Sequence, residues 1–270
     1  MNTAVIFWLQ LLAALLYGAG AVREWIAVRG HGQRTLTPAL WIGAGGLAAH
    51  TIAMATQVLA GDYINLDLAY TLSLFLWLAI LQFLVACLFL EVHLLGIILF
   101  PLAAVVLLTE AFAPTGDSLV IDVSAPAMLG HLILSLLAYG TLTLAAVQAI
   151  LLWVQDASLR HKRFGALSRI LPPLQPLERL LFHLIRIGFA LLTLVILSGA
   201  VFSEQIFGQP FTFNHKVVLS LIAWLVFGLL LMGHSRFGWR GRAAVRWTLG
   251  GYALLLLAYF GVRFILELKA

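Results

Sequence analysis

The chain has 270 residues, of which 63% are hydrophobic and only 10% charged, with a mean hydropathy of +1.04. Soluble domains carry about 25% charged residues, so composition excludes a soluble enzyme or binding module and marks an integral membrane protein. A formal charge of +5 would suggest nucleic acid in a soluble chain, but here the basic residues lie in short connections between apolar stretches, where they set topology.

A hydrocarbon core of about 30 Å needs roughly 20 residues of helix. Eight stretches meet that demand: Val5 to Val22, Pro38 to Leu59, Leu68 to Leu90, Leu94 to Phe112, Ala127 to Trp153, Phe182 to Phe202, His215 to Gly233 and Trp247 to Leu266. The first has small residues from Gly18 to Ala21 but lacks a basic leader, so it is read as a retained span and not a signal peptide. The predicted fold is all-α, a bundle of eight transmembrane helices forming a single domain over residues 1–270. The connections after spans one, five and seven, with their flanks, hold all but Lys216, Arg263 and Lys269 of the 16 Lys and Arg residues. The positive-inside rule then places both termini outside the cytoplasm. Between spans five and six, residues 160–181 combine a basic run with Leu171-Pro172-Pro173-Leu174-Gln175-Pro176. Prolines interrupt a helix there, which predicts an interfacial elbow with its Arg and Lys near anionic lipid heads. Small residues such as Gly43, Gly45, Gly46, Gly188 and Gly199 are expected to let helices approach closely.

The usual enzyme constellations are missing: the sequence has no GxxxxGK[ST], HExxH, GxSxG or strand-to-helix GxGxxG. No hydrolytic or transferase activity is expected, which leaves a redox or haem-transfer role as the enzyme-like option. Cys87, the only cysteine, excludes an intrachain disulfide and a CxxCH haem attachment site, and fits a small core residue. Apart from Glu110 at a span end, no carboxylate is expected deep in a span. Histidines remain, and an ionisable group inside a bilayer is a functional-site candidate by default.

Depth follows from the rise of about 1.5 Å per residue. His50 falls in the outer half of span two and His131 about one turn below the outer surface in span five. His183 opens span six and His234 closes span seven, both on the inner side. Imidazoles from different helices suit a bis-histidine haem, whose iron takes two axial nitrogens from opposite faces of the ring. The pairs predicted are His50 with His131 outside and His183 with His234 inside, with His215 as the alternative outer ligand. Arg186, Arg236 and Arg240 are level with the inner pair, and Arg263 and Lys216 with the outer one. Guanidinium forks suit haem propionates, and topology-setting arginines explain the inner group almost as well. His31, His93 and His161 are expected to be solvated.

The run His215-Lys216, Trp224, Gly233-His234-Ser235-Arg236, Gly238-Trp239-Arg240-Gly241 and Ala258-Tyr259-Phe260-Gly261 resembles the C-terminal part of the transmembrane cytochrome c assembly family, which includes CcsA, HemX and YpjD-like proteins. Gly130-His131, Leu137-Ala138-Tyr139-Gly140, Pro172-Pro173-Leu174, Ile187-Gly188-Phe189 and Ser198-Gly199-Ala200 fit as well. The resemblance implies haem handling in a bacterial cytoplasmic membrane, with His131 matching an outer axial ligand and His234 the transmembrane histidine. The family's cytochrome-synthesis members hold a tryptophan-rich loop ending in Trp-Asp before span seven. Residues 203–213 here contain neither Trp nor Asp, which is similar to the HemX and YpjD-like branch. The expectation is therefore one or two b-type haems held by histidines, as cargo or as fixed redox centres for transmembrane electron transfer. Partners implied are haem, the lipid bilayer and a c-type cytochrome maturation or redox protein. The competing expectation is a haem-free accessory protein that modulates haem synthesis or assists a metal-ion exporter.

Overall fold

A computed structural model of the chain describes residues 3–29, 37–59, 64–66, 68–90, 92–112, 119–121, 126–162, 165–203 and 215–261. Their elements are α1 (Thr3–Arg29), α2 (Thr37–Leu59), β1 (Ile64–Leu66), α3 (Leu68–Phe89), a 3-10 turn (His93–Leu95), α4 (Gly96–Phe112), β2 (Leu119–Ile121), α5 (Pro126–His161), α6 (Ala166–Ile170), α7 (Leu174–Val201), α8 (His215–Phe237), α9 (Arg242–Leu256) and a π turn (Leu257–Gly261). Backbone amides and carbonyls cannot stay unpaired in hydrocarbon, so runs this apolar close their hydrogen bonds internally as helices. Seven helices among the described residues are long and apolar enough to cross a bilayer. The protein is a helical integral membrane protein. The eighth expected span is described only as far as Gly261, where α9, beginning earlier than expected at Arg242, passes into the π turn.

Three boundaries differ from the sequence expectation for local reasons. Helix α7 begins at Leu174, not at Phe182, because Pro176 falls in the first turn, where a missing N–H costs nothing. The elbow accordingly contracts to the connection around α6. Helix α1 continues past Val22 to Arg29 and so carries Glu24 into the packed interior. Strands β1 and β2 pair antiparallel, with Ile64 opposite Ile121 and Leu66 opposite Leu119. Runs of three residues are too short to show a period in sequence.

The chain forms two compact units. One comprises Met1–Asp122 with Gly165–Leu171, and the other Val123–Phe164 with Pro172–Ala270. In the first unit, α1 packs on α2 and α4. The Phe100 ring occupies the space over Gly43 that a Cβ would fill, and a Cβ on Gly46 would come within 2.9 Å of the Tyr17 ring. Tyr17 stacks on Phe100 at 6.1 Å, and Phe83 meets Phe100 edge-on at 5.6 Å. In the second unit α5 is central: residues 138–149 are buried around its whole circumference, as expected of a helix surrounded by others. Helices α7 and α9 pack on α5, and Leu142 fills the notch left by Gly188. Gly43, Gly46 and Gly188 thus act as the expected close-approach positions. Large apolar side chains such as Trp41, Phe89, Val201 and Phe237 remain exposed. That surface would promote association in water and suits contact with lipid.

Candidate functional site

The His234 end of the second unit is built by a local fold-back. Helix α8 stops at Phe237, and Gly238 takes a positive φ of 66°, a conformation that glycine reaches without a Cβ penalty. The Trp239 amide then donates to the Gly233 carbonyl at 3.1 Å. Its indole covers Gly233, where a Cβ would enter the ring, and stacks on Trp247 at 5.3 Å. Gly241, with a φ of 54°, donates its amide to Glu178 Oε1 on α7 at 2.6 Å. This fold-back places the Trp239 carbonyl 3.0 Å from His234 Nδ1. A carbonyl only accepts, so in the neutral ring Nδ1 carries the proton and Nε2 the lone pair.

Phe182 lies flat against the His234 imidazole, with centroids 3.5 Å apart and an interplanar angle of 16°. Its neighbour His183 is exposed, since successive residues lie about 100° apart around a helix. The two predicted inner histidines therefore share one end of the unit, but Phe182, not His183, faces His234. Arg186, three residues after His183 within α7, and Arg236 and Arg240, just after His234, are exposed. Asp156 of α5 binds Arg160 Nε at 2.9 Å and Arg242 Nε at 3.1 Å. Its carboxylate ties α5 to the start of α9. Asp156, Glu178 and Phe182 were not singled out from sequence. Glu178 and Asp156 sit among basic residues, where an acidic residue reads as part of a solvated connection.

His131 lies near the start of α5, and its Nδ1 is 2.9 Å from Ser198 Oγ on α7. The Ser198 hydroxyl donates its one proton to the Val195 carbonyl at 3.0 Å. Towards His131 it is therefore the acceptor, so in the neutral ring Nδ1 holds the proton and Nε2 the lone pair. A Cβ on Gly199 would come 3.3 Å from His131 Cε1, so the small residue leaves room for the ring. His215 is exposed at the first position of α8. Beside it Lys216 Nζ sits over the Tyr259 ring at 5.6 Å, and Tyr139 donates to the Leu255 carbonyl at 3.3 Å. Arg263 lies outside the described residues, as do His31 and all but Ser203 of the loop without Trp or Asp.

His50 belongs to the first unit. It is 1% exposed, with Nε2 at 2.9 Å from Ser73 Oγ and its ring edge-on to Tyr17 at 6.2 Å. Its Nδ1 has no hydrogen-bond partner. His131 lies in the other unit, so the expected outer pair draws on both. His161 is exposed and His93 half-buried. The expectation of no deep carboxylate besides Glu110 fails at Glu24, which is fully buried in α1. Glu110 itself accepts from Gln10 Nε2 at 2.9 Å.

Comparison with known proteins agrees with the motif pattern. Residues 41–269 match the family model described as Cytochrome C assembly protein. Inner membrane protein YpjD of Escherichia coli (strain K12) is 41% identical over 146 residues, covering 54% of each chain. The chain thus spans about half the length of the first relatives it matches. Protein HemX of Brevibacillus brevis is 24% identical with 77% of each chain covered. Cytochrome c biogenesis protein CcsA of Rippkaea orientalis is 25% identical, covering 96% of this chain and 93% of its own.

Proposed function

This chain belongs to the cytochrome c assembly protein family as a multi-pass inner-membrane protein, and we propose that it holds b-type haem non-covalently through helix histidines. The observation that carries this reading is the state of two imidazoles in the second unit. His131 and His234 each have Nδ1 tied to an acceptor, Ser198 Oγ and the Trp239 carbonyl, which leaves the lone pair on Nε2. Histidines that bind metal commonly have the second nitrogen fixed in this way, which sets tautomer and ring orientation. The residues present therefore fit haem. Bound there, haem supplies either one-electron redox chemistry or a cargo for cytochrome maturation.

His234 offers Nε2 on a ring steadied by Phe182, with Arg186, Arg236 and Arg240 available for propionates. His183, exposed at the same end, is the second axial candidate. For His131 the partner within its own unit is His215, at the exposed start of α8. His50 is the other candidate, but its Nε2 already meets Ser73. The relatives named for cytochrome c biogenesis support a haem role, whereas residues 203–213 without Trp or Asp support holding haem without attaching it to an apocytochrome.

The visible spectrum of the purified protein tests the proposal. A Soret band with sharp reduced α and β bands is expected. Protein purified from haem-replete cells that shows no such bands, and takes up no added haemin, would favour the haem-free accessory role. Expression in a strain lacking its own c-type maturation system tests the second part: no covalent haem is expected on a CxxCH reporter, and covalent haem staining of that reporter would overturn it.

A further inference from the structure

Glu24 stands apart from the histidine sites. It lies in α1 at 0% exposure, and neither carboxylate oxygen has a hydrogen-bond partner among the described residues. The side chain rests against Gly96, where a Cβ would overlap the carboxyl group. Gly96 is the first residue of α4, one turn inside the helical run that begins at His93, whose positive N-terminal end favours a negative group nearby. Burial opposes that charge, because an unpaired carboxylate in a low-dielectric interior is costly. The group is thus held between its charged and neutral forms by two opposing influences.

The neighbours leave the proton as its natural ligand. On α1, Arg23 is exposed, and the Arg29 guanidinium sits over the Trp25 ring at 5.1 Å. On α3, Cys87 is half-buried. His93 lies three residues before Gly96 in the 3-10 turn and is half-buried, and Arg169 of α6 is exposed. Helix α2 brings His50 to Tyr17, two helical turns from Glu24. Ion pairs join Asp156 to Arg160 and Arg242 in the second unit, and the described residues contain no group of three or more His, Cys, Asp or Glu able to hold a metal ion.

We propose that Glu24, cradled by Gly96, is a proton-binding site inside the first unit, reached by water from the end of α1 that carries Arg23 and Arg29. Proton uptake converts the carboxylate to a neutral carboxyl group, and release returns the same proton to that water. No electron or other group moves. A water molecule both donates and accepts, so it satisfies the carboxyl in either state. The site is independent of haem and stands whether or not the second unit binds it.

Infrared difference spectra of the full-length protein in nanodiscs, recorded across a pH titration in H2O and D2O, test the site. A carboxyl C=O band that appears on acidification, shifts in D2O and is absent in Glu24→Gln is expected. Its absence from the wild-type spectrum, its survival in Glu24→Gln, or its failure to exchange in D2O would overturn the proposal. The same titration is applied to Glu24→Asp, which retains the acid should the amide variant not fold: its carboxyl C=O band is expected at a wavenumber different from that of the wild type, and an unchanged band in Glu24→Asp would overturn the proposal.

Discussion

Polar groups inside the two units are treated differently. In the second unit His131 and His234 each spend Nδ1 on an acceptor from elsewhere in that unit and keep Nε2 as a lone-pair donor. Among the described residues of the first unit, His50 Nδ1, the Tyr17 hydroxyl and both Glu24 oxygens are buried with no hydrogen-bond partner, as Gln155 Oε1 is in the second. Anchoring one nitrogen fixes the tautomer and ring orientation that a metal ligand needs. Leaving buried donors and acceptors open calls for a small ligand such as water or a proton. The two regions therefore suit different chemistry, and the difference shows in which polar groups are hydrogen-bonded.

The largest effects should come from removing the anchored rings. His131→Ala and His234→Ala are each expected to lower the haem-to-protein ratio or to turn low-spin iron high-spin, as about one axial ligand is lost. His50→Ala is expected to leave the low-spin spectrum intact. Loss of low-spin haem in that variant would erase the contrast between the units and restore His50 as the outer ligand.

Next comes the platform under His234. Gly233→Ala drives a methyl into the Trp239 indole, and overpacking of this kind costs about 1–3 kcal/mol. A lowered unfolding temperature and weakened haem retention at His234 should appear together. Ser198→Ala removes only the acceptor for His131 Nδ1, and loss of such an outer partner weakens metal binding by about 10-fold or more. Haemin titration should show the loss at His131 and none at His234. The smallest effect belongs to Asp156→Asn. Arg160 and Arg242 are 57% and 51% exposed, so the loss should be about 1 kcal/mol or less, seen in chemical unfolding with the haem spectrum unchanged.

The apolar runs made the helices legible, because hydrocarbon leaves the backbone no other way to satisfy itself. His131 and His234 were legible too, as ionisable residues at membrane depth within a distinctive Gly, Trp and Arg run. Their supports were not. Ser198 lies 67 residues from His131, and Phe182 displaced its neighbour His183 from the face of His234 because helix rotation decides which of two adjacent residues points inward. The purpose of the Gly-Trp-Arg-Gly run emerged only from the turn at Gly238, which swings the Trp239 carbonyl back to His234. Glu24 escaped notice because its neighbour Arg23 made it look like loop. Only the continuation of α1 to Arg29 and the contact with Gly96 show it to be buried.

The most direct test of the central claim is the haem content and spin state of the purified wild type beside His131→Ala and His234→Ala, measured by pyridine haemochrome and low-temperature electron paramagnetic resonance. Anchored ligands in the second unit should give low-spin haem in the wild type, with haem lost or made high-spin in each variant, while the first-unit variant His50→Ala matches wild type. Full low-spin haem in both His131→Ala and His234→Ala would contradict the assignment.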